Sequence, residues 1–215
     1  MKSVFILLVL IFTFYASDAQ HFAIASDNNK VLYVGVNNTL SISAENCPCS
    51  QLIVKTNNGK VTGSNCQYTY NGNQYGIADI ILYKKTGNKL KEIGRNTFSV
   101  KRIPAPVFRI AGYGGNYQKA KTIILAAQQF VRAEYEDFGF GFDIRCSVDS
   151  FYVTIFYGDS IKTKPFFNTS NMLNEPIRAA IAALKNDDII IFDKIFAKGP
   201  DGARELDPLI LTIEN

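Results

Sequence analysis

Tryptophan is absent from this 215-residue sequence, histidine occurs once and methionine twice. The single histidine, His21, lies near one end, so no Ser/His/Asp triad, Cys/His pair or His-rich metal set can be assembled around it. Cysteines number four. Cys47-Pro48-Cys49 lacks the Cys-x-x-Cys spacing and βαβ setting of thiol oxidoreductases, and with Cys66 but no nearby histidine it is a poor zinc set. Gly112-Tyr-Gly-Gly115 has neither the Gly-Lys-Ser/Thr ending of a phosphate cradle nor the dinucleotide spacing, and reads as a loop. The net charge is only +4, without Lys/Arg runs interleaved with aromatics, which argues against nucleic acid as a partner. No catalytic, cofactor-binding or metal-binding residue is assigned, and no cofactor is expected. The chain reads as a non-enzyme.

What is present begins with a short signal. Lys2 precedes an apolar run from Val4 to Tyr15, broken only by Thr13, and Ser17-Asp18-Ala19 follows with small residues. That is the layout of a secretory signal peptide over residues 1–19, cut between Ala19 and Gln20. The run is too short for the roughly 20 residues that span a bilayer, and the rest of the chain holds no longer one. An exported protein without a membrane span in its mature part is expected, in the periplasm or cell envelope or secreted. Sixteen Phe, eleven Tyr and an apolar fraction of 47% supply sizeable cores. Four cysteines suit an oxidising compartment.

Phe98-Ser-Val-Lys-Arg-Ile-Pro-Ala-Pro-Val107 divides the chain. It starts as a strand and ends in Ile103-Pro104-Ala105-Pro106, where each proline removes an amide donor and holds its predecessor extended. This makes Ile103, Pro104 and Pro106 a short, stiff linker between domains at 20–102 and 103–215. The alternative is one fold with a proline-rich loop in its middle.

Before the joint, strand signals recur about every ten residues, from Phe22–Ser26 to Arg95–Lys101, separated by turns at Asn58-Gly59 and Gly87-Asn88. Leu40 and Ile42 alternate with Ser41 and Ser43. Seven or eight short strands without a helical period predict an antiparallel sandwich of immunoglobulin type. Folding about an Asn58-Gly59 hairpin brings Cys66 opposite Cys49, with Cys47 farther along the same end. A disulfide from Cys66 to either Cys49 or Cys47 follows.

After the joint, the spacing predicts a helix capped by Asn116 with Ala120, Ile123, Ile124 and Ala127 on one face. Strands are expected at Phe130–Glu136, Phe142–Val148 and Phe151–Tyr157, the last dense in aromatic and β-branched residues. Cys146 is expected to be an ordinary buried thiol. Asn174 and Pro176 open a second helix burying Ile177, Ala180, Ile181 and Leu184. A strand from Asp188 to Ala197 then turns through Gly199-Pro200-Asp201-Gly202 into Leu209–Ile213. The whole is mainly β: a sandwich followed by an α+β domain with a mostly antiparallel sheet and two short helices. Glu134 and Glu136 fall on one wet strand face, and the Gly199–Gly202 turn is a candidate grip for a partner.

Several stretches in order resemble one family. They are Val31-Leu-Tyr-Val-Gly-Val-Asn-Asn38, Phe98-Ser-Val-Lys-Arg-Ile-Pro-Ala-Pro106, Ala133-Glu-Tyr-Glu-Asp-Phe138 with Ser150-Phe-Tyr-Val-Thr154, and Phe196-Ala-Lys-Gly-Pro-Asp-Gly202. Together they are similar to the C-terminal half of the gliding-motility protein GldM and its relative PorM. The resemblance implies distal periplasmic domains of a dimeric shaft in the type IX secretion system, facing a ring of GldK and GldN. On this reading the inner-membrane helix and proximal domains of that family are not expected here, a cleavable signal standing in their place. A free exported module that recognises a protein, peptide or glycan is the alternative role.

Overall fold

Period-2 alternation shapes the first half of the chain. The computed structural model describes residues 21–27, 30–136, 144–158 and 165–215. Its first eight strands are β1 (Phe22–Ser26), β2 (Val31–Tyr33), β3 (Asn38–Ala44), β4 (Leu52–Thr56), β5 (Lys60–Ser64), β6 (Gln67–Asn71), β7 (Gly76–Thr86) and β8 (Lys89–Lys101). They form two four-stranded sheets, β1-β3-β6-β5 and β2-β8-β7-β4. This is the immunoglobulin strand order, with β2 running parallel to β8 at one edge. Leu40 and Ile42 point inward from β3, whereas Ser41 and Ser43 stay exposed. Ile80, Leu82, Phe98 and Val100 meet them from the opposite sheet, around the fully buried Tyr70. Each such apolar side chain stabilises the fold by about 1.5–3 kcal/mol relative to leaving it in water.

Asn58-Gly59 does not form the expected hairpin. Strand β4 pairs with β7 and β5 pairs with β6, so the turn is a corner that carries the chain between sheets. The two-residue return lies later, at Asn65-Cys66, where both residues have positive φ (51° and 65°) and Ser64 faces Gln67. That geometry matches the twist of paired strands and commits β5 to β6. The corner is pinned separately, because the Asn58 amide donates to the carbonyls of Gln74 and Ile77 at 2.9 and 3.3 Å.

The C-terminal half comprises β9 (Val107–Ile110), β10 (Tyr113–Gly114), β11 (Gln118–Ala120), α1 (Thr122–Ala126), β12 (Arg132–Glu134), β13 (Ser147–Phe156), β14 (Phe166–Asn168), α2 (Glu175–Ala182), β15 (Ile189–Gly199), β16 (Gly202–Leu206) and β17 (Leu209–Ile213). The main sheet has the order β11-β17-β15-β13-β14, and β10-β9-β12 forms a smaller one. Strand β15 serves two neighbours along one edge. Ile189–Phe192 pair with β17 and Ile195–Gly199 pair with β16, the change falling at Lys194, whose φ is 44°. Phe108 of the small sheet packs between Phe151 and Phe192 of the large one, with ring centroids 5.6 and 5.4 Å away. This aromatic triad centres a second hydrophobic cluster that shares no residue with the first.

Helix α2 follows the sequence reading. The Asn174 side chain accepts from the Ile177 amide at 3.1 Å, and Ile177, Ile181 and Leu184 are buried. Helix α1 does not. Residues 118–120 are an edge strand parallel to β17, so the helix shrinks to five residues, burying Leu125 and leaving Ile123 77% exposed. A helix this short gains little from propensity, and the sheet ladder overrides the 3.6-residue pattern. The strand expected over Phe130–Glu136 is limited to Arg132–Glu134. Part of the Phe142–Val148 expectation, and the whole signal segment with Ala19 and Gln20, lies outside the described residues.

Candidate functional site

Cys49 and Cys66 are joined as a disulfide, whereas Cys47 is a buried free thiol. Cys49 leads into β4 and Cys66 leads into β6, so the bond staples the two sheets at one end of the sandwich. Among the described residues no group of three His, Cys, Asp or Glu could hold a metal ion. No helix among them is long and apolar enough to cross a membrane.

The densest polar arrangement lies at the joint. The Gly199–Gly202 turn between β15 and β16 folds over the linker, and the Asp201 side chain is fully buried there. Its carboxylate accepts from the Ile103 backbone amide at 3.2 Å and from the Arg204 guanidinium. Arg102 lies 3.5 Å from the same oxygen. Arg204 returns to the linker by donating to the Ile103 carbonyl at 2.9 Å. Ile103 and Pro106 are buried, Pro104 is half-buried and Ala105 is exposed, so the linker is packed down at both ends and open at Ala105. A buried carboxylate is tolerable only with such charged and hydrogen-bonding partners.

The sandwich reaches the same point through Gly35. With φ 77°, its backbone approaches the turn so closely that a Cβ would stand 2.1 Å from the Pro200 carbonyl oxygen. Only glycine fits this approach. Beside it opens a cleft of about 540 Å³ lined by Val34, Asn73, Gln74, Tyr75, Arg102 and Asp201.

Behind the turn, Tyr135 and Cys146 complete the cluster. The Tyr135 hydroxyl lies where a Cβ on Gly199 would be, 2.1 Å away. Burial pushes this phenol up to about 12, with the Cys146 thiol and the Asp201 carboxylate adding to it. Burial likewise raises the Cys146 thiol. Both groups favour their protonated forms at neutral pH, and Cys146, expected to be buried, is half-buried.

The acidic residues of the C-terminal half divide between exposed and buried. Glu134 and Glu136 are exposed and share Arg109, at 3.7 and 3.5 Å. Asp188 is 4% exposed and accepts from the Lys185 and Gly158 amides at 2.7 and 3.0 Å, tying the end of α2 to the end of β13. Sequence reasoning missed both Asp188 and Asp201 as structural carboxylates. The Asp-Gly pair at 201–202 signalled only a turn.

Comparison with protein families assigns both halves. The GldM third domain matches residues 21–101 and the GldM C-terminal domain matches residues 104–214. The chain belongs to the GldM family. The two matches meet on either side of Arg102 and Ile103, the residues that Asp201 and Arg204 hold. No curated protein matches the chain. Among solved structures, the Yersinia pseudotuberculosis adhesin InvE aligns over 90% of this chain at 11% identity with a TM-score of 0.29. The chain spans 59% of the length of that adhesin structure, and a likeness this distant supports no inference about role. GldM domains are components of motility and secretion machinery, and the disulfide suits an exported member of that family.

Proposed function

We propose that the protein is a non-enzymatic structural module of the cell envelope that docks onto gliding-motility or type IX secretion machinery, as the distal domains of GldM do. The observation that carries this reading is the joint. Gly35 of the sandwich meets the turn that Asp201 and Arg204 tie to Arg102 and Ile103, and on this reading these contacts hold domains 20–102 and 103–215 at a set angle. A part that transmits force or holds a ring in register needs such fixed surfaces, and it needs no group with a tuned pKa. Its partners on this reading are GldK/GldN-like ring components, with self-association as a homodimer. The Gly199–Gly202 turn contributes by holding the angle at which those partners meet the protein.

The cleft beside Tyr75 supports the second reading, a free exported module that binds a peptide or glycan there. Crosslinking in the native envelope followed by mass spectrometry separates the two. Crosslinks to ring components or to a second copy are expected. A strictly monomeric protein with no envelope partner overturns docking. Alanine at Glu134 or Asp193 is expected to change binding by less than about 1 kcal/mol, and remodelling of the 199–202 turn is expected to weaken it more.

A further inference from the structure

The positive charge of the protein is concentrated at one place that the docking role does not use. Residues 21–101 carry nine Lys and Arg against four Asp and Glu, whereas residues 102–215 carry thirteen against fourteen. Four of the nine, Lys84, Lys85, Lys89 and Lys91, stand on the hairpin between β7 and β8. The third strand of that sheet, β4, stops at Leu52 opposite Lys84. Beyond it, residues 85–91 continue as a bare two-stranded ribbon, every residue exposed. At its tip Gly87 has φ 59° and no atom within 4 Å of where a Cβ would stand. The ribbon therefore projects into open space.

At its base the Lys84 ammonium donates to the Asn46 carbonyl at 2.6 Å, but the charges farther out are not arranged for the hairpin's own stability. Lys84 lies directly opposite Lys91, and like charges in that register destabilise a strand pair. The acidic residue next in sequence, Glu92, is taken by Arg95 at 3.2 Å, and Asp79 also faces Arg95. Among the described residues no carboxylate pairs with Lys85, Lys89 or Lys91. Between Lys89 and Lys91, and across from Lys85, stands Leu90, 44% exposed.

We propose that this hairpin is a contact site for an anionic lipid surface, with Leu90 entering the headgroup layer and the lysines spread over the phosphates. Three features favour lipid over an acidic protein. The tip is a narrow projection with no concavity to hold a folded partner. The cations are lysines, point charges on flexible stems, and not the planar arginine forks that select a particular carboxylate. Leu90 shares its face of the ribbon with Lys85 while Lys89 and Lys91 flank it on the other, and an apolar side chain among lysines matches the depth profile of a membrane interface.

The test is co-sedimentation of the protein, purified after export, with vesicles of phosphatidylcholine alone or mixed with phosphatidylglycerol. Binding is expected only to the anionic vesicles, and it should weaken as salt shortens the range of the charges. Each lysine near such a surface contributes roughly fivefold, so a Lys85→Gln, Lys89→Gln, Lys91→Gln variant should bind about a hundredfold more weakly. Leu90→Gln should weaken binding with its salt dependence kept. A control that removes the same charge elsewhere, Lys119→Gln, Lys121→Gln, Lys185→Gln, should bind as the parent does. Equal binding to both vesicles, an undiminished triple variant, or an equal loss in the control overturns the assignment. So does a hairpin that crosslinks in the envelope to an acidic protein while ignoring vesicles.

Discussion

Asp201 is the residue on which the joint turns. Its buried carboxylate holds Arg204 and the Ile103 amide together, so Asp201→Ala leaves a largely buried guanidinium without its partner. A loss of roughly 3 kcal/mol is expected in denaturant unfolding, and pairing it with Arg204→Ala in a double-mutant cycle should recover much of that loss. Gly35 offers a second probe that touches neither core. Gly35→Ala and Gly87→Ala both place a Cβ at positive φ, but only the first meets another backbone. The tip variant should cost only about 1–2 kcal/mol of backbone strain, and the Gly35 variant clearly more. Equal melting temperatures for the two would contradict the close approach. Tyr70 and Tyr135 set the alkaline limit, each pushed up to about 12 mainly by burial. Their unfolded phenols ionise near 10, so the stability they confer is whole below about pH 10 and lost as pH rises through about 12. Urea midpoints measured across that window should fall less steeply in Tyr70→Phe and Tyr135→Phe.

Among the elements, the inter-sheet disulfide makes the most direct prediction. Closing the 17-residue separation between Cys49 and Cys66 stabilises the sandwich by about 3 kcal/mol in chain-entropy terms. Alkylation of denatured protein without reductant should modify two thiols, Cys47 and Cys146, and reduction should expose two more. Four modified thiols without reductant would show that the bond does not form. The sequence left Cys66 to pair with either Cys49 or Cys47, and the hairpin offered as the reason for a bond does not exist. Asn58-Gly59 turns the chain, but into the opposite sheet, and the two cysteines still converge because the sheets face one another. The faces of β3 were legible, since Leu40 and Ile42 alternate with Ser41 and Ser43 and leave a period of 2 in the sequence. Helix α1 was not, because a parallel partner 93 residues away (211 − 118), β17, decides what residues 118–120 do. The joint was visible as two prolines, but its lock was not, since Gly35, Asp201 and Arg204 carry no shared local signal.

At the scale of the whole molecule, two cores with no common residue predict two cooperative units. Chains ending near Lys101 and starting near Arg102 should each unfold in a single transition. A molten half, beside an intact protein that unfolds in one step, would argue for a single indivisible fold. Spin labels on Lys60 and Lys185 should report one narrow distance distribution in the parent, broadened in Asp201→Ala.

Strand β15 gives the joint a mechanical meaning. It runs through the middle of the main sheet, hydrogen-bonded to β13 on one side and to β17 and then β16 on the other, and its last residue opens the turn that grips the linker. Tension applied to the sandwich has two routes into the C-terminal half, the covalent linker into β9 and the Asp201 turn at the end of β15. Along the second route a pull in line with β15 shears the ladder, so its hydrogen bonds resist together instead of peeling apart one by one. The closing strand β17, attached along only half of β15, lies off this line. Under pull, the molecule should yield first at the contact between Gly35 and Pro200, and the sheet behind it should hold.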